Sequence, residues 1–297
     1  MFLEVSGKIS DFNKFDSMKT LNIIGAGKCG LSLAILFNRS QQLRMLAVCN
    51  ANLSSAEQAV SEIGDGYAVS CIDKLPAADL IMIACPDDKI FGVANDLSKI
   101  VQPGTIVFHC SGVLNSTHLK VLADKGCYVA SVHPLTSFAN VEQSITNFAG
   151  SYCGVEGHGQ AIKLLKKIFT GVGAQVLDIN TADKALYHTA AVFSSNYLVT
   201  LAHVAEEMFV DSGIEQEQAK HLVTSLMQAS VTNLQVQKEI KQALTGPIQR
   251  GDSKTVAIHL ANIKKEHIHD LYIKLGRETL KLAMLGDDKA HMLECFF

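Results

Sequence analysis

Six residues near the start of the chain, Gly25-Ala26-Gly27-Lys28-Cys29-Gly30, restrict the fold more than any other stretch. They follow the apolar run 21–24 and open an apolar helical pattern over 28–38, so a G-x-G-x-x-G loop joins a strand to a helix. Each glycine has its own physical reason. Gly25 permits a tight turn, Gly27 lets backbone approach a pyrophosphate, and Gly30 lets the helix pack close to the strand. The helix N-terminus adds free amide donors and the positive end of its dipole. Strand, loop and helix agree on a dinucleotide-binding loop formed by Gly25, Ala26, Gly27, Lys28, Cys29 and Gly30.

Beyond that loop, short apolar runs alternate with helical segments. The strand candidates are 21–24, 45–49, 80–85, 105–110 and 128–132, with weaker ones at 151–155 and 175–179. Helical patterns lie between them at 28–38, 54–63, 90–98, 115–122 and 160–170. Near-continuously apolar strands separated by helices imply a parallel sheet covered on both faces, the doubly wound Rossmann-type α/β arrangement. After about residue 180 strand patterns stop, and the chain reads as long helices broken mainly at Gly213 and at Leu244-Thr245-Gly246-Pro247. The expected organisation is a dinucleotide-binding domain over 19–179 and an all-helical substrate and dimerisation domain over 180–297. Residues 1–18 lack sustained periodicity and read as a flexible extension ahead of the fold. The total of 297 residues suits two domains better than one.

Charge excludes some partners. Lys and Arg number 26 against 29 Asp and Glu, a net charge of −3 with no basic stripe, so neither nucleic acid nor an anionic membrane surface is expected as a partner. No apolar run approaches the roughly 18 residues of a membrane span. Eight cysteines are scattered without a C-x-x-C pair, several within strand-like runs, as expected of free thiols in the reducing cytoplasm.

Cofactor choice turns on the end of the second strand, Val48-Cys49-Asn50-Ala51-Asn52. An NAD-preferring site usually carries an acid there for the ribose 2′-hydroxyl. Asn50 stands in its place and repels no phosphate, and Ser54 and Ser55 offer hydroxyls at the next helix start. NADP(H) is therefore favoured over NAD(H), although the Arg that commonly holds the 2′-phosphate is missing. Cys85-Pro86-Asp87 ends a later strand at the edge where a cofactor lies in doubly wound sheets. Pro86-Asp87 equally suits stopping the strand and capping a helix that begins near Lys89.

Three further loops share that edge: His109-Cys110-Ser111-Gly112, His133-Pro134-Leu135 and the helix start after Asn180. Ser111-Gly112 offers a hydroxyl and backbone amides to a substrate carboxylate. His133 sits at a strand end, either facing substrate or pinning its own loop. In the segment 183–197, Lys184, His188 and Ser195 are spaced by four and seven residues, so on one helix they share a face. Asn196 lies about 120° from Lys184. Polar groups among Ala, Val and Phe on a buried helix need partners. A lysine near a helix N-terminus also feels the positive dipole end, which lowers its pKa and makes it a better acid. The alternative is a solvated Lys184 in a capped first turn.

The loop 25–30, the His133-Pro134-Leu135 turn, Lys184-Ala-Leu-Tyr-His188 with Ser195-Asn196, and Leu244-Thr245-Gly246-Pro247 with Arg250-Gly251-Asp252 together resemble a bacterial family. That family joins a Rossmann-like domain to a helical domain of uncertain function, within the 6-phosphogluconate dehydrogenase-like superfamily. The resemblance covers nearly the whole chain from residue 19. Some members are regarded as an alternative form of ketopantoate reductase. Better-known ketopantoate and 3-hydroxyacid reductases carry a Lys and an Asn four residues apart on the corresponding helix. Lys184 matches the Lys, whereas His188 takes the Asn position.

The resemblance implies reduction of a small 2-keto acid, such as ketopantoate to pantoate, by NADPH lying across the glycine loop. It makes Lys184 the proton donor and His188 the group that orients or re-protonates it, with Ser195 and Asn196 on the substrate. It also implies a homodimer through apolar faces of the helical domain. Arg250 suits a bidentate grip on a substrate carboxylate, reaching across a dimer, and equally a buried pair with Asp252. Prephenate-dehydrogenase-like or pyrroline-5-carboxylate-reductase-like chemistry is the alternative enzyme reading, and a non-catalytic NADP-binding regulatory module the alternative class. His267 and His269, two apart, diverge around a helix, so no metal site is expected from them.

Overall fold

The computed structural model describes residues 18–297. Apart from Met18, the extension expected ahead of residue 19 lies outside the described residues. Eight strands form one sheet: β1 (Lys19–Ile24), β2 (Leu43–Cys49), β3 (Tyr67–Val69), β4 (Leu80–Ile83), β5 (Ile106–His109), β6 (Tyr128–Pro134), β7 (Tyr152–Gly157) and β8 (Gln175–Asp178). Their spatial order is β3-β2-β1-β4-β5-β6-β7-β8. Helices α1 (Lys28–Arg39), α2 (Leu53–Ile63), α3 (Asp87–Leu97), α4 (Lys120–Ala123), α5 (Val141–Thr146) and α6 (Gly159–Gly171) make the connections.

Period-two alternation sends the strand side chains to two cores. Leu21, Ile23, Leu80, Met82, Phe108, Ala130 and Val132 join α1 and α6 on one face. Ile24, Ile81, Ile83 and Val107 pack with Ile90, Ala94 and Leu97 of α3 on the other. The doubly wound α/β reading therefore holds. Phe169 of α6 locks the first core, with its ring edge-on to Phe37 of α1 at 5.3 Å and to Phe108 of β5 at 6.2 Å.

Several elements depart from the sequence pattern. The parallel sheet contains one reversal, since β7 runs antiparallel to β6. The link between them holds only α5, about 9 Å long, against roughly 23 Å of strand to retrace. The chain therefore re-enters beside Pro134, where β6 ended, with the Leu135 amide donating to the Tyr152 carbonyl. The edge strand β3 spans only three residues, too few for periodicity to reveal. The helix expected over 115–122 is a 3-10 turn, Ser116–Leu119, followed by the single turn of α4.

Past β8, a 3-10 turn (Thr181–Asp183) leads into α7 (Lys184–Ser194). The described chain divides into two compact units at Val192/Phe193, later than the expected division at 179/180. The early turns of α7 pack on the sheet, which is why they go with the first unit. The helix expected to run through Ser195 breaks there: Ser195 adopts φ −121°, ψ −65°, and α8 (Asn196–Asp211) begins afterwards. The spacing argument that put Ser195 on one helical face with Lys184 and His188 therefore fails.

The second unit contains α8, α9 (Gln216–Val236), α10 (Pro247–Arg250), α11 (Ser253–Asn262), α12 (Glu266–Leu282) and α13 (Asp287–Glu294). Gly213 breaks α8 from α9 with φ +96°, and Gly246, also at φ +96°, precedes Pro247 at the start of α10. Further breaks fall at 263–265 and 283–286. Lys265 ties the start of α12 to α8 through Glu207 at 2.6 Å and Asp211 at 2.7 Å.

Because Phe169 is fully buried between α1 and β5, Phe169→Ala should lower unfolding free energy by about 3–5 kcal/mol. Urea denaturation followed by far-UV circular dichroism checks this.

Candidate functional site

The glycine loop forms as its sequence requires. Gly25 has φ +90°, and a Cβ there would stand 2.5 Å from the Cys85 amide nitrogen. A Cβ on Gly30 would overlap the Gly25 carbonyl oxygen, whereas at Gly27 nothing lies within 4 Å. The loop is thus closed toward the protein at Gly25 and Gly30 and open outward at Gly27. No side chain caps α1, whose N-cap is Gly27 and whose first turn holds no acid. In contrast, α2 and α5 are capped by Asn52 and Asn140, and α6 by His158. An uncapped N-terminus beside an open glycine suits the phosphates of a dinucleotide.

A cavity of about 760 Å³ extends from the loop between the ends of β2 and β4, lined by Gly27, Asn50, Ser55, Asp73, Cys85 and Pro86 among others. Asn50 is committed at both ends of its amide. Its Oδ1 accepts from the Ala26 amide at 2.7 Å, and its Nδ2 donates to the Ser55 carbonyl at 2.9 Å. It ties the glycine loop to the first turn of α2. The Ser55 hydroxyl donates to the Asn52 carbonyl, and Ser54 is exposed. Lys28 is exposed and Cys29 half-buried. Pro86 is the N-cap of α3, so Asp87 is its first residue and the helix starts ahead of Lys89. Burial pushes the Cys85 thiol up to about 11, with Asp87 and Asp88 adding to the effect.

A second cluster lies farther along the sheet, on the face opposite Ala130 and Val132. Antiparallel pairing sets Ser131 opposite Glu156 and His133 opposite Gly154. Over these two cross-strand pairs α7 lays Lys184, Tyr187 and His188, one helical face at i, i+3 and i+4. The Lys184 ammonium, 1% exposed, donates to Ser131 Oγ and lies 3.6 Å from Glu156 Oε1. Glu156 also accepts from the Ser116 amide at 2.8 Å, Ser116 Oγ at 2.7 Å and Thr181 Oγ1 at 2.9 Å. Burial lowers the Lys184 pKa to about 8, against the opposing pull of Glu156.

Above this ion pair sit the histidines. The His133 and His188 rings meet edge-on at 5.4 Å, and the Tyr187 ring also meets His133 edge-on at 5.7 Å. Gly112 is wedged against both, since a Cβ there would overlap His188 Nδ1 and stand 2.8 Å from His133 Nε2. The Nδ1 atoms of both histidines are buried and accept or donate no hydrogen bond. Burial, then His188 and Lys184, pull the His133 pKa to about 4. His109, fully buried at the end of β5, accepts from the Ser111 amide at Nδ1. Its Nε2 faces the Asn115 carbonyl at 3.2 Å, which assigns the proton to Nε2. Burial, then Lys184, takes its pKa to about 3.

The structure thus brings Lys184, His188 and His133 together as the sequence suggested. Ser111 lies close by, but its Oγ accepts from the Leu114 amide at 3.0 Å, closing its own turn. Ser195, Asn196 and Arg250 belong to the second unit and are exposed. The expected alternative of a buried Arg250–Asp252 pair is not found. Asp252 instead caps α11, accepting from the Thr255 amide at 3.0 Å and its hydroxyl at 2.7 Å. Sequence reasoning missed Glu156, Ser131 and Tyr187. The available signal was a lone acid in an apolar strand, Tyr152-Cys-Gly-Val-Glu156-Gly, because a buried carboxylate must find a partner.

Comparisons agree with this architecture. Residues 10–134 match a model described as a Rossmann-like domain, and 151–279 match one described as a domain of unknown function (DUF2520). Ser131, His133 and Gly112 fall in the first match, and Glu156, Lys184 and His188 in the second. Among solved structures, protein TM1727 from Thermotoga maritima is 25% identical with a TM-score of 0.69, over 88% of this chain and 98% of its own. Pyrroline carboxylate reductase from Plasmodium falciparum, solved with NADP bound, is 14% identical with a TM-score of 0.59, over 94% and 98%. Prephenate dehydrogenase from A. aeolicus, in complex with hydroxyphenyl propionate and NAD+, is 17% identical with a TM-score of 0.55, over 85% and 98%. The last two likenesses establish a common fold. No curated protein matches the chain in sequence.

Acidification tests the buried histidines. In the folded chain His109 and His133 hold off protonation to about 3 and about 4, while unfolded histidine titrates near 6.5. Between those values the unfolded chain binds more protons. The contribution of these two histidines to stability is therefore full above pH 6.5 and falls as pH drops, by on the order of 2.7 kcal/mol per unit at the steepest. Urea titrations between pH 7 and 4 measure the slope, which His133→Asn should reduce by about one proton.

Proposed function

We propose that the chain is an NADP(H)-dependent oxidoreductase that reduces the carbonyl of a small 2-keto acid, with ketopantoate the first substrate to test. The observation that carries this reading is the ammonium of Lys184. It is held in a buried hydrogen-bonded setting, with a pKa of about 8, over the sheet whose first strand leads into the open glycine loop. A lysine poised near neutrality is suited to giving up a proton as negative charge develops on a carbonyl oxygen. The dehydrogenase and reductase names among the fold neighbours support an oxidoreductase.

When bound, the dinucleotide supplies the hydride. Gly27 and the first-turn amides of α1 would hold its pyrophosphate, while Asn50 keeps the loop in shape. The Asn50 side chain is turned to the loop and brings no charge to repel a 2′-phosphate, which supports NADP(H) over NAD(H). Lys184 holds the proton destined for the substrate oxygen. His133 and His188 form the wall beside it, and Gly112 keeps that wall free of any further side chain. The resemblance alone supports Ser195, Asn196 and Arg250 as substrate-binding residues.

A homodimer and a cytoplasmic setting belong to the same proposal. Helix α8 has no buried residue, and Val199, Met208 and Val210 on it are exposed, as are Leu226 and Val236 of α9. Apolar helix faces of this extent are covered in most soluble proteins. All eight cysteines are free, and among the described residues no helix is long and apolar enough to cross a membrane. Sedimentation equilibrium should give twice the chain mass of 32.1 kDa.

The reaction is tested by following NADPH and NADH oxidation with a panel of 2-keto acids that includes ketopantoate, beside prephenate with NADP+ and pyrroline-5-carboxylate with NADPH. Turnover of a keto acid is expected. Lys184→Ala should reduce it by about 10²- to 10⁴-fold while leaving NADPH affinity nearly intact. Binding of NADPH without turnover of any compound would favour a regulatory module, and undiminished turnover in the variant would remove Lys184 from the chemistry.

A further inference from the structure

Glu156 is buried, yet among the described residues it is the one carboxylate within ion-pairing distance of the proposed proton donor. It is also unusually well fixed. Oε1 accepts from the Ser116 amide, and Oε2 accepts from the hydroxyls of Ser116 and Thr181. These partners come from the connection after β5 and from the turn that leads into α7. The carboxylate is therefore anchored independently of Lys184, at a point set by the β6/β7 register. The ammonium is the movable member of the pair, at the end of a four-carbon stem.

We propose that Glu156 is a positioning residue for this reaction, which holds the Lys184 ammonium charged and aimed along Ser131, without touching substrate or cofactor itself. The proposal rests on the oxidoreductase reading above. The other groups facing Lys184 leave this work to Glu156. From the end of β5 comes His109, neutral at working pH, and from the residue after it the Cys110 thiol, which its neighbour Cys29 and burial keep protonated. From β6 comes His133, also neutral, and from the start of α3 comes Asp87, whose influence on Lys184 is weaker than that of Glu156. A carboxylate kept only for packing is replaceable by an isosteric amide without consequence for its neighbour's protonation. A positioning carboxylate is not.

The test reads Lys184 directly. Protein labelled with lysine carrying ¹³C at Cε is titrated by NMR, with the Lys184 resonance identified by its loss in Lys184→Arg. In the wild type it should titrate near pH 8. Glu156→Gln should move that titration down by about one to three units. Glu156→Asp, which retracts the charge by one methylene, should move it less. With the keto acid identified from the panel, the alkaline limb of the kcat profile should move down by the same amount. Turnover at pH 7.5 should then drop about threefold for a one-unit shift and by roughly tens- to hundreds-fold for two or three units, at unchanged KM for NADPH. An unmoved Lys184 titration in Glu156→Gln overturns the proposal, even if the variant is less stable. If that variant does not fold, an unmoved titration in Glu156→Asp overturns it equally. Absence of turnover with every keto acid would defeat the functional reading, while the NMR titration would still decide the part played by Glu156.

Discussion

One buried ammonium organises this end of the sheet. Lys184 reaches down from α7 between Ser131 and Glu156, and a charge so placed is tolerated only with close partners. Much nearby structure serves that need. β6 and β7 must be neighbours in the register that sets Ser131 opposite Glu156. The 3-10 turn before α7 must bring Thr181 within 2.9 Å of the carboxylate, and Ser116 must turn both its amide and its hydroxyl inward. Breaking one partner of such a pair typically costs 3–5 kcal/mol, because the survivor is left charged in a poor solvent. The cluster is therefore a structural commitment as well as a candidate for chemistry.

The two faces of the sheet explain where this cluster can exist. On one face apolar residues continue unbroken from β1 through β7 to meet α1 and α6. On the other, the apolar cluster of Ile24, Ile83 and Val107 reaches as far as Leu119 and Leu122, and Ser131, His133 and Glu156 take over beyond it. Substitution of polar for apolar residues at alternate positions leaves the strands intact and converts one stretch of core into a polar chamber. The two sequence-family matches divide between Pro134 and Ser151, so the chamber draws residues from both. The compact first unit nevertheless contains it whole.

Legibility in the sequence followed the range of the interactions. The glycine loop was readable because its chemistry is local: turn, open backbone and helix start occupy six consecutive residues. Lys184 and His188 were readable because a helix puts i and i+4 on one face. The partnership of Ser131 with Glu156 was not, because it depends on a strand reversing direction, and residue types do not encode direction at this distance. The reach of α7 was also overestimated, for nothing in Phe193-Ser194-Ser195-Asn196 carries the Pro or Gly that usually marks a break. Asn50 was legible as a position at the end of β2, but its ties from the loop to α2, at both ends of its amide, were not.

The reversed strand has a consequence for how such a chain tolerates change. Residues 135–151 leave β6 and return at the same end of the sheet, so lengthening or shortening that excursion leaves the ladder itself untouched. A single residue gained between Tyr152 and Glu156 would act quite differently. It would turn the carboxylate through the sheet into the greasy side among Phe148 and Phe169, and expose Val155 to the ammonium instead. Relatives of this chain can thus vary in the length of the exposed parts of that connection, with Phe148 kept in the core, while the four residues ahead of Glu156 keep their count.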